Sequence, residues 1–173
     1  MGAGAMMAAA QLASNPVAEL DLVLARFRLR ARLRVLWIET LREQGQVATE
    51  LLDRDAPGEM EDWVAEDEAA RALAHETDSV EQELAANREG RFARLTSIFG
   101  LNAAERDMLE ACAALALDPA LREICSWLTG QPSLTGRVIA RLFGNQRSPA
   151  WRCDSALFQW EIVQQREDVL TLD

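Results

Sequence analysis

The chain has 173 residues, 49% of them apolar, a formal net charge of −10, and no lysine among its 18 basic residues. That length and apolar content support a packed core and exclude a disordered chain, while the abundance of Leu, Ala, Glu and Arg, the absence of Tyr and the scarcity of β-branched residues favour a mainly α fold. The all-arginine usage reads as codon bias, and the acidity is local: Glu50 to Glu83 holds 13 acids against Arg54 and Arg71, a net of −11, so the rest is close to neutral.

The opening stretch "MGAGAMMAAAQLASNP" has neither the basic start nor the apolar run of a signal peptide, and residues 1–14 read as a disordered N-terminus. No apolar run is long enough to span a bilayer, so the expectation is a soluble, cytoplasmic protein. Asn15 as N-cap and Pro16 at the first helical position open a helix to about Gln44, closed by Gly45. Leu22, Leu29, Leu33 and Leu36 form a stripe along it beside Trp37. The same helix carries "RFRLRARLR", Arg26 to Arg34. As a strand this would be a one-faced basic ribbon; as a helix it places Arg26, Arg30 and Arg34 within an arc of about 80°, with Arg28 and Arg32 on the far side. The arginines are expected to face the acids of Glu50 to Glu83 across an α-helical hairpin turning near Gly45, in exposed pairs of about 0–1 kcal/mol each.

A second helical segment is expected from Gly58 to His75, with Met60, Trp63, Val64 and Leu73 on one side and "EDWVAEDE" around the other. Ser79 and Gln82 have capping-box spacing and suggest a helix that continues through Leu84 and Phe92 to Phe99, interrupted at Gly90 and closed by Gly100. Asn102 and Glu105 make a further capping box for a helix with Leu109, Cys112, Leu115 and Ala116 on its apolar face. Asp118 and Pro119 open the next, to Leu128. After a turn at Gly130 to Pro132, a helix from Ser133 to Phe143 is closed by Gly144, and Ser148 and Pro149 start a short one with Trp151 and Leu157. In "FQWEIVQQREDVLTLD" the period changes to an alternation of Phe158, Trp160 and Ile162, which predicts a C-terminal two-stranded hairpin.

Catalytic patterns do not emerge. Cys112, Cys125 and Cys153 are spaced unlike a zinc or CxxC site and read as small buried hydrophobes in a reducing compartment. His75 is the only histidine, no phosphate loop or GxGxxG occurs, and "DRDAPGEMEDW" lacks the ligand spacing of an EF-hand. No catalytic, cofactor-binding or metal-ligating residue is assigned, and no cofactor.

The segment "RLTSIFGLNAAERDMLEACAALALDPALREICSWLTGQPSLTGRVIARLFG", Arg94 to Gly144, together with the C-terminal alternation, resembles the N-terminal variant winged-helix region of bacterial AAA+ ATPases, including those of contractile injection systems. The matching positions are Leu95, Phe99, Gly100, Leu101, Glu105, Arg106, Asp107, Leu109, Asp118, Pro132, Leu142, Ser155, Leu157, Trp160, Ile162 and Val163. The sequence departs from the family where "LAPELD" becomes "LALDP", and it ends at Asp173, where the ATPase domain would begin; it reads as an N-terminal piece or a stand-alone relative. The resemblance implies a helical extension over residues 15–90 with the acidic segment, then a winged-helix-like domain over residues 91–173. The function it implies is non-catalytic recognition or assembly that positions an ATPase motor. The implied partners are proteins, either injection-system components or the AAA+ domain itself. A homo-oligomer is open, a membrane is not expected, and nucleic acid is disfavoured. In a DNA-binding winged helix, Ser133 to Phe143 would be the recognition helix; with Leu134, Val138 and Leu142 inward, Arg137 and Arg141 lie at the edge and Gly136, Ala140 and Phe143 face outward, a face without base-reading groups.

Overall fold

A computed structural model describes residues 16–45, 59–129, 134–143, 155–166 and 169–172. The chain is mainly helical, with a small antiparallel sheet near its C-terminal end. Helix α1 (Pro16–Glu43) ends where Gly45 takes φ +78°, the left-handed turn that glycine enters without a Cβ penalty. Its buried face differs from the expected leucine stripe. Leu29 of that stripe is buried together with Val23, Arg26, Phe27, Ala31, Arg34, Trp37, Ile38 and Leu41, while Leu22, Leu33 and Leu36 are half-buried. The reason is position: α1 is packed on several sides, so its flanks as well as its floor meet other elements.

Helix α2 (Glu59–Glu66) is separated from α3 (Glu68–Ala86) by Asp67, whose extended backbone and Oδ1, accepting the N–H of Ala70 at 2.8 Å, cap α3. The helix start expected at Ser79 is corrected, since α3 runs through it and Ser79 lies exposed in mid-helix. Nor does that helix reach Phe99: α3 ends before Asn87, and α4 (Arg91–Phe99) begins anew after Gly90 and closes at Gly100, φ +63°. Helix α5 (Ala103–Leu117) carries the expected capping box of Asn102 and Glu105, and α6 (Pro119–Thr129) starts at Asp118, which accepts the N–H of Ala120 at 3.0 Å.

Strand β1 (Leu134–Thr135) precedes α7 (Gly136–Phe143). The helix expected from Ser133 starts later because Leu134 and Thr135 pair with Leu170 and Val169, and the Thr135 hydroxyl accepts the N–H of Val138 at 3.4 Å. After the short α8 (Ala156–Gln159), β2 (Val163–Arg166) and β3 (Val169–Leu172) form the expected hairpin, in the sheet order β1-β3-β2. The strand does not include Phe158 or Trp160. These belong to α8 and its C-cap, and Glu161, φ +54°, turns the chain into β2.

Phe27 and Ala31 of α1 share one core with Met108, Leu121, Cys125, Val138, Ile139, Leu157, Val163 and Leu170, so the first helix closes the same interior as the sheet. A second cluster, Trp37, Ile38 and Leu41 with Met60, Trp63 and Leu128, ties the other end of α1 to α2 and α6, with the Trp37 and Trp63 rings 5.1 Å apart. The expectations at residues 1–14, Asn15, Gly58, Gly130 to Ser133, Gly144, Ser148 to Trp151 and Cys153 lie outside the described residues.

Candidate functional site

Arg26 is the centre of the interior polar network. Its Nε donates to Glu81 at 3.0 Å, and Nη1 lies 2.8 Å from Asp107 and 2.6 Å from Glu110, although its side chain is only 7% exposed. Arg30 donates to Glu81 at 2.8 Å and to the carbonyl of Leu142 at 2.9 Å, placing a cation at the C-terminal end of α7. Both guanidinium groups sit over the Phe143 ring, at 4.6 and 5.0 Å. Arg28 bonds Asp118 at 2.6 Å, and Arg34, 1% exposed, reaches Met60 Sδ at 3.5 Å.

The expectation that the arginine rows face Glu50 to Glu83 therefore holds for Arg26 and Arg30 with Glu81. It fails for Arg32, which is exposed and makes no ion pair among the described residues, and it is corrected in two further respects. Arg26 and Arg28 also bond acids of α5 and its C-cap, and the Arg26 cluster is buried rather than exposed. Burial opposes ionisation of Glu81, but the bonds and charge of Arg30 and Arg26 outweigh it and hold this carboxyl below its ordinary value. Glu110 goes the other way, because burial exceeds the attraction of Arg26 and Arg106 and raises it.

A cleft of about 350 Å³ opens over this cluster, lined by Arg26, Glu81, Gln82, Arg106 and Glu110. Arg26, Glu81, Arg106 and Glu110 on its walls are paired with one another, and Asp78 also lines it. Among the described residues no group of three or more His, Cys, Asp or Glu is placed to hold a metal, and no helix is long and apolar enough to cross a membrane. His75 is exposed on α3.

On α7 the structure buries Val138, Ile139 and Leu142. Phe143, expected to face outward, is instead half-buried and packs 6.1 Å from Phe27 beneath the two arginines, because α1 covers that side of the helix. Gly136, Ala140 and Arg141 are half-buried. The side chain of Arg137 is outside the described set.

The outer surface is informative at α4. This helix has no buried residue; Phe92, Thr96 and Phe99 face the body at half burial, and Arg91, Arg94, Leu95 and Ile98 fall on a second arc of about 100° that adjoins the first at Leu95. Ile98 is 69% exposed and Leu95 37%. Trp160, 64% exposed, packs tilted at 57° against Phe99, with ring centroids 5.8 Å apart, and so joins the α8 cap to α4. Large apolar side chains left in water side by side are the usual mark of a contact surface. Sequence reasoning missed it, reading Trp160 as part of a strand. The available signal was "RFARLTSIF", in which Ile98 lies about 120° from Phe92, between Arg91 and Arg94, with Leu95 at the border of the two faces.

Helix α4 is fixed in place by a distant residue. Gly90 offers no side-chain cap, and the carboxylate of Glu19 from α1 accepts the N–H groups of Arg91 at 2.6 Å and Phe92 at 3.2 Å. A Cβ on Gly90 would meet the Glu19 carboxyl and the Asn87 amide too closely, so that a side chain here would have to displace the group that caps α4. Comparison of the chain with protein-family models, curated proteins and solved structures finds no match in any of the three.

Proposed function

We propose that the chain is a non-catalytic recognition and assembly domain, working through protein contacts that position a bacterial AAA+ ATPase motor. The observation that carries the reading is the exposed apolar surface of Leu95, Ile98 and Trp160. Leu95, Phe99 and Trp160 are also positions on which the resemblance to the N-terminal region of these ATPases rests, and they converge on one surface although 65 residues separate the first from the last. The arrangement α5, α6, β1, α7, then a hairpin in the order β1-β3-β2, is compatible with a winged-helix-like domain. A nucleic-acid role gains no support from Arg26, Arg28 and Arg30, whose guanidinium groups are committed to Glu81, Asp107, Glu110 and Asp118.

The test is calorimetric binding of the chain to its cognate AAA+ ATPase. Trp160→Ala combined with Ile98→Ser leaves the melting temperature nearly unchanged, since both side chains are exposed, and weakens binding roughly tenfold or more. Equal binding by wild type and variant overturns the assignment of this surface. ATP turnover by the isolated chain would overturn the non-catalytic reading. A salt-sensitive shift of duplex DNA would replace it with the winged-helix nucleic-acid regulator, whose phosphate contacts are strongest at low salt.

A further inference from the structure

We propose that the α4–Trp160 surface is self-complementary and seats the same surface of a second copy of this chain, with the two α4 helices antiparallel. The inference deepens the reading of this surface as a protein contact and rests on it.

Charge placement on α4 selects the occupant. Its two exposed arginines, Arg91 and Arg94, stand in the first turn, at the positive end of their own helix dipole, and the helix has no acid in that turn and no base in its last. Neither arginine forms an ion pair among the described residues. Trp160 lies against Phe99, the last residue of α4, and Glu161, which follows it in the chain, is exposed and likewise has no ion-pair partner among the described residues. The surface thus reads, along α4, as two cations, an apolar middle of Leu95 and Ile98, then Trp160 and one anion.

A two-fold axis through the apolar middle places each Arg91 and Arg94 over Glu161 of the other copy, and does so twice. It also brings each arginine-bearing helix start next to the negative C-terminal end of the other helix. A parallel pairing sets like charge on like. The acidic surface of α2 and α3 offers carboxylates to the arginines, but no large apolar side chain of either helix is exposed to receive Ile98 and Trp160. The self-pairing alone among these satisfies both the charges and the apolar middle. A nine-residue helix, about 14 Å long, with one tryptophan makes a small interface, so the dimer is weak, with a dissociation constant of roughly micromolar or above.

Sedimentation velocity on the chain across a wide concentration range tests this. The wild type rises with concentration from 19.2 kDa toward twice that mass, and added salt weakens the rise. Arg91→Glu with Arg94→Glu in one variant, and Glu161→Arg in another, each abolish it. Mixed one to one, the two variants associate with each other, since the reversed charges match only across the mixed pair. Circular dichroism melting checks that each is folded. If the Arg91 change disturbs the neighbouring Glu19 cap, Arg94→Glu alone takes its place in the mixture. A wild type that stays at 19.2 kDa, or variants that fail to associate on mixing while the wild type dimerises, overturns the proposal. A monomer whose Trp160→Ala variant still loses the ATPase would overturn self-pairing and leave the contact surface standing. A dimer whose Trp160→Ala variant still binds the ATPase would uphold self-pairing and remove the ATPase from this surface.

Discussion

Arg26 is bonded by three carboxylates from two helices while almost wholly out of water. Burial works against its charge, yet Glu110 and Asp107 outweigh that and raise its pKa, so it stays protonated throughout. Replacing it with Met would leave Glu81, Asp107 and Glu110 facing one another, and Arg26→Met is expected to destabilise the fold by about 3–5 kcal/mol, read from the urea midpoint. The carboxylates also set the response to pH. Asp118 is held low as Glu81 is: burial opposes its ionisation, and Arg28 with the Ala120 N–H prevails. Depressed acids contribute stability above their unfolded values, and it is lost as pH falls through their folded ones. Glu110, raised, contributes in the opposite sense, favouring the fold below the ordinary 4.5 and losing that contribution as pH rises through its folded value. The urea midpoint should therefore fall steeply only below the ordinary carboxylate range, and Glu81→Gln should make that fall shallower. At the thiols, burial pushes Cys112 up to about 12 and Cys125 to about 11. Both should resist alkylation at pH 8 in the folded protein and react once it is unfolded; protection lost while the helical signal is intact would contradict this packing.

Helix ends were readable where the signal is local. Gly45, Gly100 and the Asn102–Glu105 box each use residues within one turn of the end they close. The α3 start was missed because Asp67 stands in the run "EDEAA", where several residues have cap chemistry and only the backbone decides among them. Asp67→Ala should therefore cost about 1 kcal/mol, a melting shift of roughly 2–4 °C, while Ser79→Ala should change little. The α4 start was invisible for another reason. Its acceptor, Glu19, is 72 residues from Arg91, and nothing near Gly90 announces it. Gly90→Ala forces a methyl into Glu19 and Asn87, and is expected to lower the melting temperature by about 3–10 °C. An unchanged melt would mean that Glu19 can withdraw without loss. The apolar alternation of residues 158–162 was read as strand because a short helical turn and a strand edge share that pattern over five residues.

At the scale of the molecule, the mainly helical class and the C-terminal hairpin followed from composition and period, whereas the central place of α1 did not. Its arginines were expected to find acid in the next helix, and one of those acids, Glu81, does receive two of them. The rest of the network joins α1 to α5, Asp118 and the end of α7, across separations that only the folded chain defines. The bond from Arg30 to the Leu142 carbonyl spans 112 residues, and that from Arg26 to Glu110 spans 84. During synthesis α1 precedes its partners by unequal lengths of chain: Glu81 follows Arg26 by 55 residues, Glu110 by 84, and Leu142 follows Arg30 by 112. Contacts of such separation slow folding, because the loops that join them must close before they are rewarded. Among the described elements α1 is thus made before all that cover it: α3 can meet Arg26 and Arg30 through Glu81 early, while the side that packs on α7 stays open to whatever surface or chaperone the nascent chain meets until α7 emerges.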